Sequence, residues 1–185
     1  QKPGRLAFII DATASRQPAW DQACRIQTQM FKAVDKIGRL QVQLVYFRGL
    51  AELHNSAWLN DSNALLQQMT GVRCLAGQTQ MEKSFRHLLA ETRRQHVAAA
   101  VYIGDACEEP AVVLKKLAGE LGLHKTPLFM FQENADQNTA NIYESIARLS
   151  GGAYCRFDSN SADMLEQLLA AVAVYAAGGK QAMEA

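Results

Sequence analysis

Short apolar runs that end on a polar residue alternate along this chain with segments whose apolar residues recur at helical spacing, and this alternation limits the fold more than any other feature. Arg5 to Ile10 is such a run and stops at Asp11, after which Trp20 to Ile37 has helical periodicity up to Gly38. Leu40 to Phe47 begins as an alternating strand and turns continuously apolar, and Ala51 to Leu53, beyond a turn at Gly49, reads as a short partner strand. Asn60 to Met69 predicts a short helix. Thr79 to Arg94 predicts a longer one, because Met81, Phe85, Leu88 and Leu89 share one face. Val97 to Ile103 reads as a buried strand, Pro110 to Leu123 as a helix and Pro127 to Phe131 as a strand. Gln137 to Ser150 is then a helix stopped by Gly151 and Gly152, Ala153 to Phe157 a strand, and Ala162 to Ala177 a last helix before Gly178 and Gly179.

Strands separated by helices are joined by crossovers, which makes neighbouring strands parallel and covers the sheet on both faces. The expected fold is therefore α/β: a doubly wound, Rossmann-like, mostly parallel sheet of six strands, with one short antiparallel edge strand and helices on both faces. At 185 residues the chain suits one domain. Residues 1–177 form the expected domain, with 178–185 as a tail or the start of a following segment.

The composition, 49% hydrophobic and 20% charged, is that of an ordinary globular chain rather than a disordered one. Lys and Arg number 19 against 18 Asp and Glu, so no global field draws nucleic acid or an anionic membrane. Arg86, Arg93, Arg94, Lys115, Lys116 and Lys125 read as solvated helix surface, with no interleaved aromatics for base stacking. The longest apolar runs fall far short of the roughly 20 residues that span a bilayer, and no signal segment opens the sequence, so the expected location is cytoplasmic. Cys24, Cys74, Cys107 and Cys155 are scattered and suit reduced thiols. His54, His87, His96 and His124 are also dispersed, without the spacing of a zinc site.

Ligands of an open parallel sheet bind outside the carboxyl ends of its strands, which directs attention to the polar residues there. The first strand ends in Asp11-Ala12-Thr13-Ala14-Ser15, a carboxylate and two hydroxyls at alternate positions. Thr79 precedes the long helix, and the strand from Val97 ends in Gly104-Asp105. Two carboxylates and three hydroxyls, without imidazole or thiolate, suit a hard divalent cation. Singly, each of these is an ordinary turn or capping residue; it is their joint placement at three strand ends that points to a site.

Asp11-x-Thr13-x-Ser15, then Thr79, then Asp105 resemble, in this order, the metal-ion-dependent adhesion site of von Willebrand factor A domains. The resemblance extends over nearly the whole chain, because the family's late helix, small-residue pair and strand are matched by Ile146 to Tyr154. It implies that Thr13, Ser15 and Thr79 bind metal through their hydroxyls, that Asp11 and Asp105 hold it directly or through water, and that a partner's carboxylate completes the shell. The implied cation is Mg²⁺, or Mn²⁺ or Ca²⁺, and the implied partner is a protein presenting Asp or Glu, in some cases within an ATPase-containing complex. The implied module binds and does not catalyse, with no nucleic acid and no membrane insertion. Two departures stand out: Thr13 replaces the more usual serine, and Arg16 follows Ser15, where it would either repel a cation or help hold an anionic ligand.

Two other functions compete with this reading. A metal-dependent phosphoester hydrolase would need more acid in the first loop, where Thr13 occupies the position of the second aspartate of haloacid-dehalogenase-like phosphatases. A metal-free scaffold of the same fold is the other. Nucleotide binding lacks its glycine-rich phosphate loop. Near the candidate site, Glu108 and Glu109 before Pro110 read as complements to the dipole of the helix they precede, with rim carboxylates as the functional alternative. Cys107 reads as a small buried residue, and Trp20 as either a partner contact or a staple over a helix start.

Overall fold

The structure, a computed structural model, describes residues 4–13, 40–156, 167 and 170–176. The helix predicted from Trp20 to Ile37 lies outside these residues, as does half of the last predicted helix, of which residues 167 and 170–176 are described and helical.

The elements follow in the order β1 (Gly4–Asp11), β2 (Leu40–Arg48), β3 (Glu52–Asn55), α1 (Ser62–Thr70), α2 (Met81–Arg94), β4 (Ala99–Gly104), α3 (Ala111–Leu123), β5 (Leu128–Gln132), α4 (Gln137–Ser150) and β6 (Tyr154–Arg156). The strands form one sheet in the order β3-β2-β1-β4-β5-β6. All pairings are parallel except β2 with β3, the short antiparallel edge expected from the sequence.

β1 reads as a nearly unbroken apolar run because it is buried on both faces. Leu6, Phe8 and Ile10 face α1 and the helical residues 170–176, where Leu65, Met69, Val172 and Ala176 cover them. Ala7 and Ile9 point the other way, into a core shared with Phe85 and Leu88 of α2, Leu117 of α3 and Ile146 of α4. A side chain such as Phe8 or Leu44 contributes about 1.5–3 kcal/mol through this burial. One buried polar residue interrupts the apolar side chains of β2, and it is satisfied. Gln43 is 2% exposed, donates to the Ser56 carbonyl at 3.0 Å and lies 2.8 Å from His87 Nε2.

The helices stop where local chemistry requires. Asp136 caps α4, accepting from the Thr139 amide at 2.8 Å, and Gly151 ends it in the left-handed region at φ 84°. Gly152 then passes so close to β5 that a Cβ there would lie 1.9 Å from the Leu128 carbonyl oxygen. Several elements start later than the sequence reading has them, three of them by two residues: Asn60 and Asp61 precede α1, Thr79 and Gln80 precede α2, and Val97 and Ala98 precede β4.

The sheet order fixes where a ligand can sit. From β1 the chain crosses to β2 on one side and later to β4 on the other, so the crossovers diverge above the carboxyl ends of β1 and β4. Asp11 is the last residue of β1, and Asp105 follows the last residue of β4.

Candidate metal centre

Asp11 is almost wholly buried, 1% exposed, at the end of a strand paired on both sides. Its Oδ1 accepts from the Thr13 amide at 2.9 Å, a turn that curls the chain over the strand end. Ala12 continues the ladder, donating to the Phe47 carbonyl at 2.9 Å, and its own carbonyl accepts from Leu75 at 3.0 Å. This last bond draws the loop between α1 and α2 across the top of the sheet.

That loop is clasped to the β2–β3 turn. Gly49 donates to the Leu75 carbonyl at 3.3 Å, and Gln78 donates to the Gly49 carbonyl at 3.1 Å. Between them Gly77 lies backbone to backbone on Gly49, with space for no Cβ: one would fall 1.8 Å from the Gly49 oxygen. Gln80 adds a side-chain bond to the Arg48 carbonyl at 3.2 Å. Thr79, held between these contacts and α2, is delivered to the sheet edge, 7% exposed.

The loop after β4 is fastened from three directions. Its Glu108 amide donates to Thr79 Oγ1 at 3.1 Å. The Tyr143 hydroxyl of α4 donates to the Ala106 carbonyl at 2.8 Å, and Asn134 Nδ2 donates to the Asp105 carbonyl. Asn134 is itself oriented by the buried Gln132, whose Nε2 donates to Asn134 Oδ1 at 2.7 Å and whose Oε1 accepts from the Tyr154 hydroxyl at 2.6 Å.

These loops enclose a cleft of about 350 Å³ lined by Asp11, Thr13, Thr79, Asp105, Glu108 and Asn134, with Ala76, Gly77 and Ala106 completing the wall. Four of the five residues singled out from the sequence thus meet in one place. The fifth, Ser15, lies outside the described residues, as do Arg16 and Trp20. Glu108 is one of the two rim carboxylates weighed above, and Asn134 is an addition that residue type alone did not reveal. The remaining acid of the pair, Glu109, does not complement its own helix as expected. It reaches across to α2, where its Oε1 and Oε2 accept from the Met81 and Glu82 amides at 2.6 and 2.8 Å.

Among the described residues the lining of the cleft is acidic, with three carboxylates and no basic side chain. Beneath it lie Tyr102 and Tyr143, whose rings meet edge to face at 5.7 Å. Burial pushes both phenols well above the ordinary tyrosine range, and the neighbouring Asp11 carboxylate adds to that rise. Both stay protonated, and the Tyr143 hydroxyl keeps the proton with which it holds the Ala106 carbonyl. Burial likewise raises the half-buried Cys107 thiol, which makes it a poor nucleophile and a poor metal ligand.

The donor chemistry fits a hard cation. Among the described residues, all polar side chains lining the cleft are oxygen donors except for the Asn134 amide nitrogen, and that is turned to the Asp105 carbonyl. Thr79 Oγ1 has two lone pairs, of which the Glu108 amide takes one. Among the described residues no three His, Cys, Asp or Glu side chains gather as a metal-binding group, so a cation here would depend on hydroxyls and water besides the carboxylates.

No protein-family model matches the chain, and no curated protein matches it in sequence. Solved structures do. A von Willebrand factor type A protein from Catenulispora acidiphila superposes with a TM-score of 0.70 at 13% identity, covering 94% of this chain and 43% of that one. The SpRpn10 VWA domain gives a TM-score of 0.69 at 10% identity, covering 90% of this chain and 95% of that one. The chain has the fold of a von Willebrand factor A domain. Proximal thread matrix protein 1 of the mussel byssus, with a zinc-occupied MIDAS motif, gives 0.68 at 12% identity over 91% of this chain and 46% of its own. The chain therefore spans less than half of the Catenulispora and mussel proteins, and nearly all of the SpRpn10 domain.

Proposed function

We propose that this chain is a protein-binding module of the von Willebrand factor A type, in which Asp11, Thr13, Ser15, Thr79 and Asp105 hold a divalent cation to which a partner's Asp or Glu binds. The observation that carries this reading is the convergence of Asp11, Thr13, Thr79 and Asp105 on one cleft at the point where the crossovers diverge. The zinc-occupied motif of the structurally similar mussel protein supports a cation at this edge. The all-oxygen donor set favours Mg²⁺, with Mn²⁺ or Ca²⁺ as substitutes.

Each residue has a task in this reading. Asp11 and Asp105 supply negative charge from two strands whose ends cannot move apart without breaking the sheet. Thr13 and Thr79 add neutral oxygens, so the two carboxylates balance the dication without over-neutralising it, and it can still accept an acidic side chain at an open position. Glu108 stands exposed on the rim, where it holds off acids that no cation has engaged. A bound cation supplies an open coordination position for a carboxylate. The proposed outcome is association, within a complex that includes an ATPase in one version of this reading, and the proposed setting is cytoplasmic. No described helix is long and apolar enough to cross a membrane.

Thermal unfolding in EDTA and then in rising Mg²⁺ or Mn²⁺ tests the proposal. At roughly 100 times Kd a cation bound to the folded chain alone adds about 2.7 kcal/mol, which is about 5–10 °C in Tm for a chain of this size. The wild type is expected to show a saturable rise and Asp11→Ala none. A flat response of the wild type at millimolar metal would overturn the reading.

A further inference from the structure

Thr79 and Asp105 approach the cleft on loops from different parts of the chain, and their relative placement is set by a ring of contacts just behind them. Residues 79–81 run from Thr79 into the first turn of α2, and residues 108–109 lead out of the loop after β4. Two links close them into a ring: the Glu108 amide on Thr79 Oγ1 at 3.1 Å, and Glu109 Oε1 on the Met81 amide at 2.6 Å. The second oxygen of Glu109 takes the next amide, that of Glu82, at 2.8 Å. The first turn of α2 therefore presents two of its donors to a carboxylate from another element.

That arrangement replaces a local cap. Gln80 stands at the N-cap position of α2 and makes no side-chain capping bond, its amide having turned to the Arg48 carbonyl instead. By contrast α1 and α4 are capped by their own Asp61 and Asp136. The start of α2, and with it Thr79 two residues earlier, is thus located by the loop that carries Asp105. Cys107 turns its thiol to the Glu109 carbonyl at 3.6 Å, which keeps the intervening chain compact.

We propose that Glu109 is a positioning residue for the cation site, fixing Thr79 against Asp105 through the α2 amides without touching the cation itself. The inference deepens the proposed function and depends on it. Groups that orient metal ligands in this way commonly affect affinity by about 10–100-fold. A cap that only stabilised a helix would leave cation affinity unchanged, and this difference makes the role testable.

The experiment is a Mn²⁺ titration of the full chain followed by electron paramagnetic resonance of the free ion, on the wild type, Glu109→Gln, Glu109→Ala and Asp61→Ala. Asp61→Ala removes a cap from α1, which contributes nothing to the cleft lining, and serves as the control for helix destabilisation. The wild type is expected to bind. Glu109→Ala is expected to bind at least about tenfold more weakly, with Glu109→Gln between it and the wild type because the amide retains one acceptor oxygen, and Asp61→Ala unchanged. Equal affinity in the wild type and both Glu109 variants would overturn the positioning role and leave the cation site standing. A wild type that binds no Mn²⁺ would overturn the proposed function, and this inference with it. Should the Glu109 variants fail to fold, amide hydrogen exchange of the wild type decides. Mg²⁺ is expected to slow exchange at Met81 and Glu82, and no slowing in a chain that binds the cation counts against the inference.

Discussion

Gly77 and Gly119 show how the same residue type serves opposite ends. Gly77 is required, because its backbone lies on that of Gly49 and any side chain would drive apart the clasp that delivers Thr79. Gly77→Ala is expected to cost about 1–3 kcal/mol, read as a lower denaturant midpoint, and to weaken cation binding with it. Gly119, inside α3, has nothing within 4 Å of the position its Cβ would take. Gly119→Ala is therefore expected to stabilise the chain by about 0.5–1 kcal/mol, a gain that an unchanged or lower midpoint would contradict. Tyr143 belongs to the same scale. Its hydroxyl holds the Ala106 carbonyl at 2.8 Å, and Tyr143→Phe is expected to cost about 1 kcal/mol in denaturant unfolding, with the rings still packed.

Between elements, the register of α2 against β2 creates a pH dependence. His87 on α2 is half-buried and lies 2.8 Å from Gln43 Oε1; because the Gln43 amide nitrogen donates to Ser56, the imidazole is the donor in this bond. Desolvation lowers the pKa of His87 from its ordinary 6.5, opposed by the Glu91 carboxylate and aided by Arg94. The unfolded chain then takes up a proton more readily than the folded one, so this contribution to stability is complete above pH 6.5 and is lost as pH falls below it. Denaturant midpoints across that range are expected to fall with pH in the wild type and to flatten in His87→Gln. Also at this scale lies the boundary of what the sequence discloses. Strand ends are legible because apolar runs stop on a polar residue, which is why Asp11 and Asp105 stood out, and helix faces are legible by spacing, as with Met81, Phe85 and Leu88. Glu109 was not, because its partners are the amides of a helix nearly thirty positions earlier, and amides carry no residue signature. Asn134 was hidden for a related reason: only the packing of Gln132 beneath it turns its side chain toward the Asp105 loop.

For the whole molecule, the order of strands in the sheet differs from their order in the chain, and this places the cleft and couples it to the core. Asp11 ends β1 and Asp105 follows β4, the two central strands, so a change that loosens the β1–β4 pair should be felt at the cation site before it is felt at either sheet edge. The same order has a consequence for how the chain comes into being. During synthesis β1 pairs with β2 early, but its other side waits for β4, which emerges only after α1 and α2 have been made. Until then the nascent chain displays the unpaired edge of a strand that the folded sheet buries, an adhesive surface for other nascent chains. A fragment ending at Gln95 is accordingly expected to collect in the pellet when expressed, and one ending after β5 to stay dispersed, as sedimentation of the two would show. For a growing polypeptide, the hazardous interval is the one in which its first strand waits for its second neighbour.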